Sequence, residues 1–445
     1  MTVSRTICLG FLAVITIGTL LLMLPFSTTA GSDRSWITAL FTSTSAVCVT
    51  GLSVVDVGKY YSFWGQFFIV VLVQVGGLGY MTATTFLLLL LGRKFGLRDR
   101  LAIQQSLDQQ GLSGVLQLVK SIIAATLIFE LTGVFLLIIA FIPEYGFTLN
   151  TIWLAIFHSV NAFNNAGFSV FTDNLMQYVH SPLMNLIITL LIIFGGIGYQ
   201  VIMEMFLWGR TRLSQKTTCT IFSLNFKVVI STTLVLLGVS TLAFFLMEYN
   251  NPDTLGPLNL GDKLMAAWFQ AVTPRTAGFN TIDIGKMTES ALFLTIALMF
   301  IGASPGSTGG GIKTTTMGVL FACTKAVLQG KEVVQFYERQ IPLALILKAV
   351  AVAFGSLTVV FISATLIEII DPQLEFLQVL FEAMSAFGTV GLSTGITAKI
   401  SALGKLVLIA TMYIGRVGVL LLMAAILGDP HRLSFSYPEE NLLVG

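Results

Sequence analysis

The chain has 445 residues, of which 55% are hydrophobic and only 10% are charged, and its formal net charge is +2. Soluble domains usually carry about 25% charged residues, so this composition excludes an ordinary soluble protein and indicates an integral membrane protein. The near-neutral charge, without a basic tract, argues against nucleic-acid binding. Four scattered cysteines lack the spacing of metal ligands, and we expect them to be small apolar residues.

A fourfold repeat organises the chain. Each unit has a long apolar run, a short run with aromatic residues, a glycine motif and a second long apolar run. The first run, about residues 6–27, ends at a poor signal-peptidase site, so we interpret it as a retained membrane span. The repeats occupy residues 1–91, 115–208, 220–328 and 341–428, and residues 429–445 form a C-terminal tail.

The short run of each repeat predicts a half-helix that enters the membrane and turns back. A phenylalanine precedes the motif glycine by ten residues in repeats one, two and four, and by nine in repeat three. Such a run cannot span a bilayer at a rise of about 1.5 Å per residue. We therefore predict an all-α integral membrane protein with eight transmembrane helices and four re-entrant half-helices around a pseudo-fourfold central pore.

The glycine motifs predict a cation filter made of backbone carbonyl groups. Their glycines are separated by 116, 111 and 113 residues, and the motifs read Val49-Thr50-Gly51, Asn165-Ala166-Gly167, Thr276-Ala277-Gly278 and Thr389-Val390-Gly391. Carbonyl rings replace the hydration shell of a cation without a formal charge in the membrane, and glycine permits the backbone angles that such a ring requires. The competing interpretation is four turn glycines without an ion.

A glycine-rich insert at residues 302–313 interrupts the second run of repeat three only, and it predicts a gate. Its candidate gate residues are Gly302, Ala303, Ser304, Gly306, Ser307, Thr308, Gly309, Gly310, Gly311 and Lys313. So many glycines with a proline do not form a stable helix, so we expect a flexible loop at a water-filled cavity below the filter. A purely structural kink is the alternative. The insert also approaches a phosphate-binding loop, but Ile312 breaks the required Gly-Lys pair, and we reject nucleotide binding.

Arg416, in the second run of repeat four, is the other candidate gate residue. An ionisable side chain inside a membrane is functional by default, and a positive charge below the filter would repel a cation or hold the loop. The alternative is a structural arginine paired with a buried carboxylate, for which Glu130 and Glu204 are candidates. We expect Arg275, inside the third motif, to hold the filter from behind.

Polar residues around the motifs have weaker signals. We expect His158, Asn161 and Asn164 to hydrogen-bond the backbone of the second motif. Acidic residues that follow the motifs would raise the cation concentration at the pore mouth or serve as solvated loop charges. They are Asp56, Asp173 and Asp283.

Basic residues in the connections between repeats predict that these connections and both termini are cytoplasmic. The connecting residues are Arg93, Lys94, Arg98, Arg100, Arg210, Arg212, Lys216, Lys325, Lys331 and Arg339, and Arg5 and Arg432 lie near the termini.

The motifs resemble those of the Trk/Ktr/HKT superfamily, most closely the KtrB-like membrane subunits of bacterial Ktr potassium uptake systems. The resemblance covers essentially the whole chain. It rests on Phe-Asn-Asn-Ala-Gly-Phe at 163–168, Ala-Val-Thr-Pro-Arg-Thr-Ala-Gly-Phe-Asn at 271–280 and Ser-Ala-Phe-Gly-Thr-Val-Gly-Leu at 385–392. The insert departs from the family in having Pro305 and three consecutive glycines.

The resemblance implies K+ uptake across the bacterial inner membrane, with Na+ as a coupling or activating ion and with residues 302–313 and Arg416 as the gate. It implies a homodimer and a cytosolic ring of KtrA-type regulatory subunits. That partner would bind ATP or ADP, and we expect no cofactor in this chain. Members with serine at the first filter position tend to favour sodium, so Gly51 favours potassium.

Two other functions fit the sequence less well. A secondary transporter with broken helices would have inverted repeats, whereas all four repeats share one orientation. An intramembrane enzyme would need a catalytic dyad or a metal motif, and the three histidines, His158, His180 and His431, lack such spacing. We therefore predict a transport protein rather than an enzyme.

Overall fold

The computed structural model describes residues 3–31, 34–79, 115–213 and 222–428. This part of the chain is almost entirely α-helical, which confirms the prediction of an all-α membrane protein. Its strands are β1 (Gln335–Phe336) and β2 (Arg339–Gln340), which form one hairpin. Some of the residues and segments discussed in the sequence analysis lie outside the described ranges. They are the end of the second run of repeat one, Arg93, Lys94, Arg98, Arg100, Lys216, His431, Arg432 and the tail 429–445.

The helices have the same order in each repeat. Repeat one contains α1 (Val3–Leu22), α2 (Trp36–Val47), α3 (Val57–Tyr60) and α4 (Phe63–Leu78). Repeat two contains α5 (Val115–Tyr145), α6 (Leu149–Phe163), α7 (Pro182–Ile197) and α8 (Tyr199–Leu213). Repeat three contains α9 (Leu224–Glu248), α10 (Leu260–Val272), α11 (Glu289–Phe300) and α12 (Thr314–Leu328). Repeat four contains α13 (Leu343–Ile370), α14 (Phe376–Gly388), α15 (Ala402–Val417) and α16 (Val419–Leu427).

The first helix of each repeat is long and apolar enough to cross a membrane. The candidate spans in α1, α5, α9 and α13 have mean hydropathies of 2.0, 2.5, 2.2 and 2.4. Large apolar side chains on these helices are exposed, among them Phe135 on α5 and Phe354 on α13. Exposed apolar side chains along such a helix are expected where it contacts lipid.

The second helix of each repeat is the predicted half-helix. Helices α2, α6, α10 and α14 have 12, 15, 13 and 13 residues, which corresponds to about 18–23 Å and is too short to span a bilayer. Their C-terminal halves are buried in the centre of the molecule. Each half-helix therefore ends inside the protein, next to its glycine motif.

Small residues bring the first helix against the half-helix in repeats one and two. Ser43 Oγ donates to the carbonyl of Ile15 at 2.8 Å, and Ser159 Oγ donates to that of Glu130 at 2.7 Å. A Cβ on Gly18 or Gly133 would overlap these serine hydroxyls. Close packing of this kind is the usual means by which membrane helices associate.

The loop insert is confined to repeat three, but the second runs of repeats two and four are bent as well. Helices α7 and α8 are bent by 103° at Gly198, and α15 and α16 by 94° at Gly418. These glycines have φ values of 97° and 88°, and Gly79, which ends α4, has a φ of 78°. Positive φ ends a helix, so the glycines that recur in the second runs, which by sequence allow either close packing or a bend, mark breaks in these helices. Four helices, or six if each bent pair is one span, qualify as spans in the described ranges.

We predict that Gly198→Ala destabilises the protein by about 1–3 kcal/mol, because a residue with a Cβ is strained at positive φ. The new Cβ would also overlap the carbonyl oxygen of Pro305. Thermal unfolding in detergent measures the effect. Gly209→Ala is the matched control, since nothing lies within 4 Å of a Cβ at Gly209. Equal melting temperatures for the two variants would contradict the prediction.

Candidate functional site

The four motif glycines adopt one backbone geometry. Gly51, Gly167, Gly278 and Gly391 have φ values of 89°, 69°, 76° and 91°. The residue two positions earlier also has a positive φ in every repeat, namely Val49 (56°), Asn165 (59°), Thr276 (70°) and Thr389 (50°). Positive φ is uncommon for residues with a side chain. Its recurrence at one position shows that the motifs are structurally equivalent, even though repeat three is one residue shorter before its glycine.

The motifs form a closed ring in which each repeat contacts the next. A Cβ on each glycine would overlap the carbonyl oxygen of the residue that precedes the glycine of the following repeat. The pairs are Gly51 with Ala166, Gly167 with Ala277, Gly278 with Val390, and Gly391 with Thr50. The order one, two, three, four, one closes the ring around a single axis, and only glycine allows this approach.

Four buried carbonyl groups of this ring are available to a ligand. Thr50, Ala166, Ala277 and Val390 are fully buried, and within the described ranges no hydrogen bond is donated to their carbonyl oxygens. Their N–H groups donate to carbonyls at the ends of the half-helices at 2.7, 2.8, 3.0 and 2.8 Å. Buried backbone groups are nearly always paired, so four unpaired oxygens in a ring are the arrangement that a cation site requires.

The insert of repeat three packs against this ring. The N–H of Gly310 donates to Thr389 Oγ1 at 3.1 Å. A Cβ on Gly309 would overlap the hydroxyl of Thr276. The insert therefore contacts the motifs of repeats three and four.

Hydrogen bonds close the base of the insert. Ile301 and Ile312 form a parallel bridge, and the N–H of Gly302 donates to the carbonyl of Ile312 at 2.8 Å. The hydroxyls of Ser304 and Thr314 lie 2.9 Å apart. Residues 302–313 are therefore a compact loop whose two ends are joined.

The loop is also bound to the break in the second run of repeat two. The N–H of Ser304 donates to the carbonyl of Gly196 at 3.0 Å, and the N–H of Tyr199 donates to the carbonyl of Gly306 at 3.0 Å. The break between α7 and α8 leaves backbone groups without helical partners. The loop supplies partners to both sides of that break.

Arg416 connects the loop to repeat one. Its Nη1 donates to the carbonyl of Thr308 and its Nη2 to that of Gly76. None of the ion pairs among the described residues includes Arg416, so the alternative of pairing with Glu130 or Glu204 does not hold. A guanidinium on α15 thus bridges the loop of repeat three and the end of α4.

A cavity of about 570 Å³ borders the loop. Its lining includes Pro305, Lys313, Lys348 and Arg416, and no acidic residue of the described ranges lines it. Lys313 Nζ donates to the carbonyl of Gly309 at 2.9 Å. The charged side chains that line this cavity are therefore all basic.

The prediction that His158 hydrogen-bonds the filter backbone is wrong, because its Nε2 lies 3.1 Å from Ser169 Oγ. Asn161 does bond to the second motif, but through its backbone carbonyl, which accepts from the N–H of Ala166 at 2.8 Å, while its side-chain amide donates to a carbonyl of its own helix at 2.8 Å. Asn174 makes the side-chain contact instead, since its Nδ2 lies 3.3 Å from the carbonyl oxygen of Gly167. Asn174 follows the filter, and its own backbone has a φ of 55°, which the sequence did not reveal.

Asn164 organises a buried polar network behind the second motif rather than bonding to the filter. Its Nδ2 lies 2.8 Å from Gln74 Oε1 and 2.9 Å from Glu130 Oε1. Glu130 is only 6% exposed. The network joins α4, α5 and the end of α6. Glu130, which was a candidate partner of Arg416, instead stabilises the contact between these three helices.

The remaining predicted residues lie around the ring. Arg275 is buried and directs its guanidinium to α9, where it lies 3.3 Å from Thr233 Oγ1. Asp56 and Asp283 accept hydrogen bonds from backbone N–H groups at the starts of short helices, at 3.1 and 3.0 Å. Asp173 is exposed in its loop. These positions neither require nor exclude a role of the acidic residues in attracting cations.

Sequence analysis missed two serines that hold the filter. The N–H of Gly51 donates to Ser45 Oγ at 3.0 Å, and that of Gly391 donates to Ser385 Oγ at 3.1 Å. Each serine precedes its glycine by six residues. That shared spacing was the available signal, but repeat two has Asn161 at this position, and repeat three, which is one residue shorter, has Thr273, so the signal was obscured.

No group of three potential metal ligands occurs among the residues that the structure describes. His180 Nδ1 lies 2.5 Å from Asp262 Oδ2, which also accepts a hydrogen bond from Asn259 Nδ2 at 2.8 Å.

Comparison with known proteins gives the family. Residues 4–431 match the family described as TrkH, cation transport protein. The chain belongs to this family. It is 42% identical to Ktr system potassium uptake protein B of Bacillus subtilis, over 100% of this chain and 97% of that protein. It is 35% identical to potassium/sodium uptake protein NtpJ of Enterococcus hirae, over 99% of this chain and 97% of that protein.

A solved structure shares the fold. The potassium transporter TrkH of Vibrio parahaemolyticus superposes with a TM-score of 0.72 at 21% identity, over 95% of this chain and 85% of that chain. Membership of this family favours the predicted transport protein over an intramembrane enzyme.

We predict that Asn164→Ala lowers the free energy of unfolding by about 2–4 kcal/mol, because it leaves two buried acceptors, on Gln74 and Glu130, without this donor. Thermal unfolding in detergent measures the change. Asn225→Ala is the control, since its side-chain bond to Gln200 is exposed and 3.4 Å long. The prediction fails if both variants melt at the temperature of the parent protein.

Proposed function

We propose that the chain is the ion-translocating subunit of a potassium uptake system and that K+ passes through the ring of the four glycine motifs. The observation that supports this most directly is the set of four buried, unpaired carbonyl oxygens on residues Thr50, Ala166, Ala277 and Val390. A dehydrated cation needs such oxygens, and they carry no formal charge that would bind it too tightly.

Electrostatics of the half-helices support the same proposal. Helices α2, α6, α10 and α14 all end next to the ring, so each directs the negative end of its dipole toward the ion. The membrane potential supplies about 2.3 kcal/mol per charge per 100 mV for inward movement. Relatives named as potassium uptake proteins, and the glycine at position 51, favour K+ over Na+ as the transported ion.

The loop 302–313 and Arg416 form the gate in this proposal. The loop lies against the ring, and the guanidinium holds it through the carbonyl of Thr308. An ion leaving the ring meets the loop and then the positive charges of Lys313 and Arg416. Conduction therefore requires the loop to leave the ring, which breaks the Arg416 contacts.

The assembly is part of the proposal. We infer a homodimer in the bacterial inner membrane, with both termini cytoplasmic and a ring of KtrA-type subunits that bind ATP or ADP. Na+ would act as the coupling or activating ion. The basic residues of the connections, and the name Ktr system of two relatives, support this assembly.

Growth of uptake-deficient cells at limiting K+ tests the proposal. We expect this chain, expressed with a KtrA-type partner, to restore growth, and Na+ to increase the rate of K+ uptake. Absence of rescue by a chain that is present in the membrane would refute the function. Rescue without any effect of Na+ would refute only the sodium part.

We predict that Gly278→Ser raises the KM for K+ by about tenfold or more, because strain of 1–3 kcal/mol is introduced into the ring. The serine would have to adopt a φ of 76°, and its Cβ would crowd the carbonyl of Val390. Uptake of a K+ tracer measures the change. Gly261→Ser, in the first turn of the half-helix that precedes Gly278, is the control, since a Cβ there makes only an ordinary contact with Asn259 Oδ1 at 3.4 Å. A KM equal to that of the parent would argue against the ring as the filter.

We predict that Arg416→Ala increases the maximal K+ flux several-fold with little change in KM, because the loop loses its bond to α15 while the ring is untouched. Tracer uptake as a function of K+ concentration separates the two parameters. Lys405→Ala, on the same helix at an exposed bond to Ala398, is the control. An unchanged flux would show that Arg416 does not hold the gate.

A further inference from the structure

A buried carboxylate behind the ring takes no part in the filter or the gate described above. Glu382 lies on α14, nine residues before Gly391, and is fully buried. Its Oε1 accepts a hydrogen bond from Ser393 Oγ, and its Oε2 accepts one from Thr397 Oγ1 at 3.0 Å. These three residues, here called the outer cluster, join the half-helix to the segment that follows the filter glycine.

The outer cluster holds the chain after Gly391, whereas Ser385 holds it before. The N–H of Gly391 donates to Ser385 Oγ at 3.1 Å, and Ser393 is two residues beyond this glycine. Glu382 and Ser385 are three residues apart on α14, so they lie on one face of the helix. One helix face therefore fixes the backbone on both sides of the filter glycine.

The other repeats support their glycines differently. Repeat one keeps the serine, Ser45, but has Thr42 at the position of Glu382. Repeat two has His158, which contacts Ser169 after the glycine at 3.1 Å. Repeat three has Gln270, whose amide oxygen and nitrogen have no hydrogen-bond partner in the described part of the chain. Within that part, repeat four alone holds both sides of its glycine with polar side chains of its own half-helix.

We propose that Glu382 is a positioning residue for ion selectivity, which acts through Ser393 and Thr397 to fix the Gly391 segment of the ring. The inference rests on the proposed function, since it requires that K+ passes through this ring. K+ and Na+ have the same charge and differ in size. Discrimination therefore depends on how far the ring can contract around the smaller ion, and a segment held at both ends contracts least.

Uptake of K+ and of Na+ by the full-length protein in proteoliposomes tests this role. We expect Glu382→Ala to lower the K+/Na+ ratio of uptake by about tenfold with little change in maximal K+ flux, since a hydrogen bond to a carboxylate is worth about that factor or more. Glu382→Gln keeps one acceptor oxygen and should give a smaller change. A residue with a merely structural role would reduce the amount of folded protein without a change in the ratio.

A double-mutant cycle tests whether Glu382 acts through Ser393. Ser393→Ala should also lower the K+/Na+ ratio. The double variant should lower it no further than the larger of the two single effects, because both substitutions remove the same contact between Glu382 and Ser393. If Glu382→Ala fails to fold, Ser393→Ala and Thr397→Val provide the test. Effects of Glu382→Ala and Ser393→Ala that add independently would overturn the proposal.

Gln270→Leu is the matched control, because it alters the corresponding position of α10 and removes a side chain without partners. Its K+/Na+ ratio should equal that of the parent. Ratios of all folded outer-cluster variants equal to the parent's would overturn the inference while leaving K+ uptake itself intact. Lack of K+ uptake by the parent protein would instead refute the proposed function.

Discussion

Unpaired backbone carbonyl groups at membrane depth are the constraint on which the rest of this structure depends. Lipid offers no hydrogen bonds, so such groups persist only where protein surrounds them and a polar ligand meets them. Four half-helices supply that enclosure and end at the ring. Each filter glycine is required because its Cα lies against a carbonyl of the next repeat, as with Gly51 and Ala166. A single chain closes such a ring only by repeating the same unit four times.

The breaks in the second runs and the gate depend on each other. A helix that ends at membrane depth leaves carbonyls without partners. The loop of repeat three satisfies those at the end of α7, through Ser304 and Thr308, and Arg416 satisfies that of Gly76 at the end of α4. The loop and the arginine are therefore the partners of two broken helices as well as an obstacle. If the loop moves as proposed, the carbonyls of Gly195 and Gly196 lose these partners, and water from the adjoining cavity of about 570 Å³ can replace them.

The sequence predicted the features that depend on residue spacing. It did not predict individual hydrogen-bond partners. Half-helix length, the positions of the motifs and the loop follow from hydropathy and glycine content. The breaks at Gly198 and Gly418 followed only in part, because glycines in an apolar run allow either close packing or a bend, and only positive φ distinguishes the two. The partners of Arg416 were also out of reach, since backbone carbonyls have no sequence signature. Asn174 was missed for the same reason, as its partner is the carbonyl of Gly167.

The ring is nearly fourfold in its backbone but not in the side chains that support it. Thr50, Ala166, Ala277 and Val390 present equivalent carbonyls, since the glycine that follows each of them has a positive φ and packs against the neighbouring motif. The supporting side chains are free to differ as long as the backbone geometry is kept, and they do: serine precedes the glycine in two repeats, and a carboxylate supports one. The proposed gate also distinguishes the repeats, since its loop belongs to repeat three and its arginine to repeat four. The four repeats therefore share their helices and the backbone of the ring, and they differ in the side chains and the loop that support it.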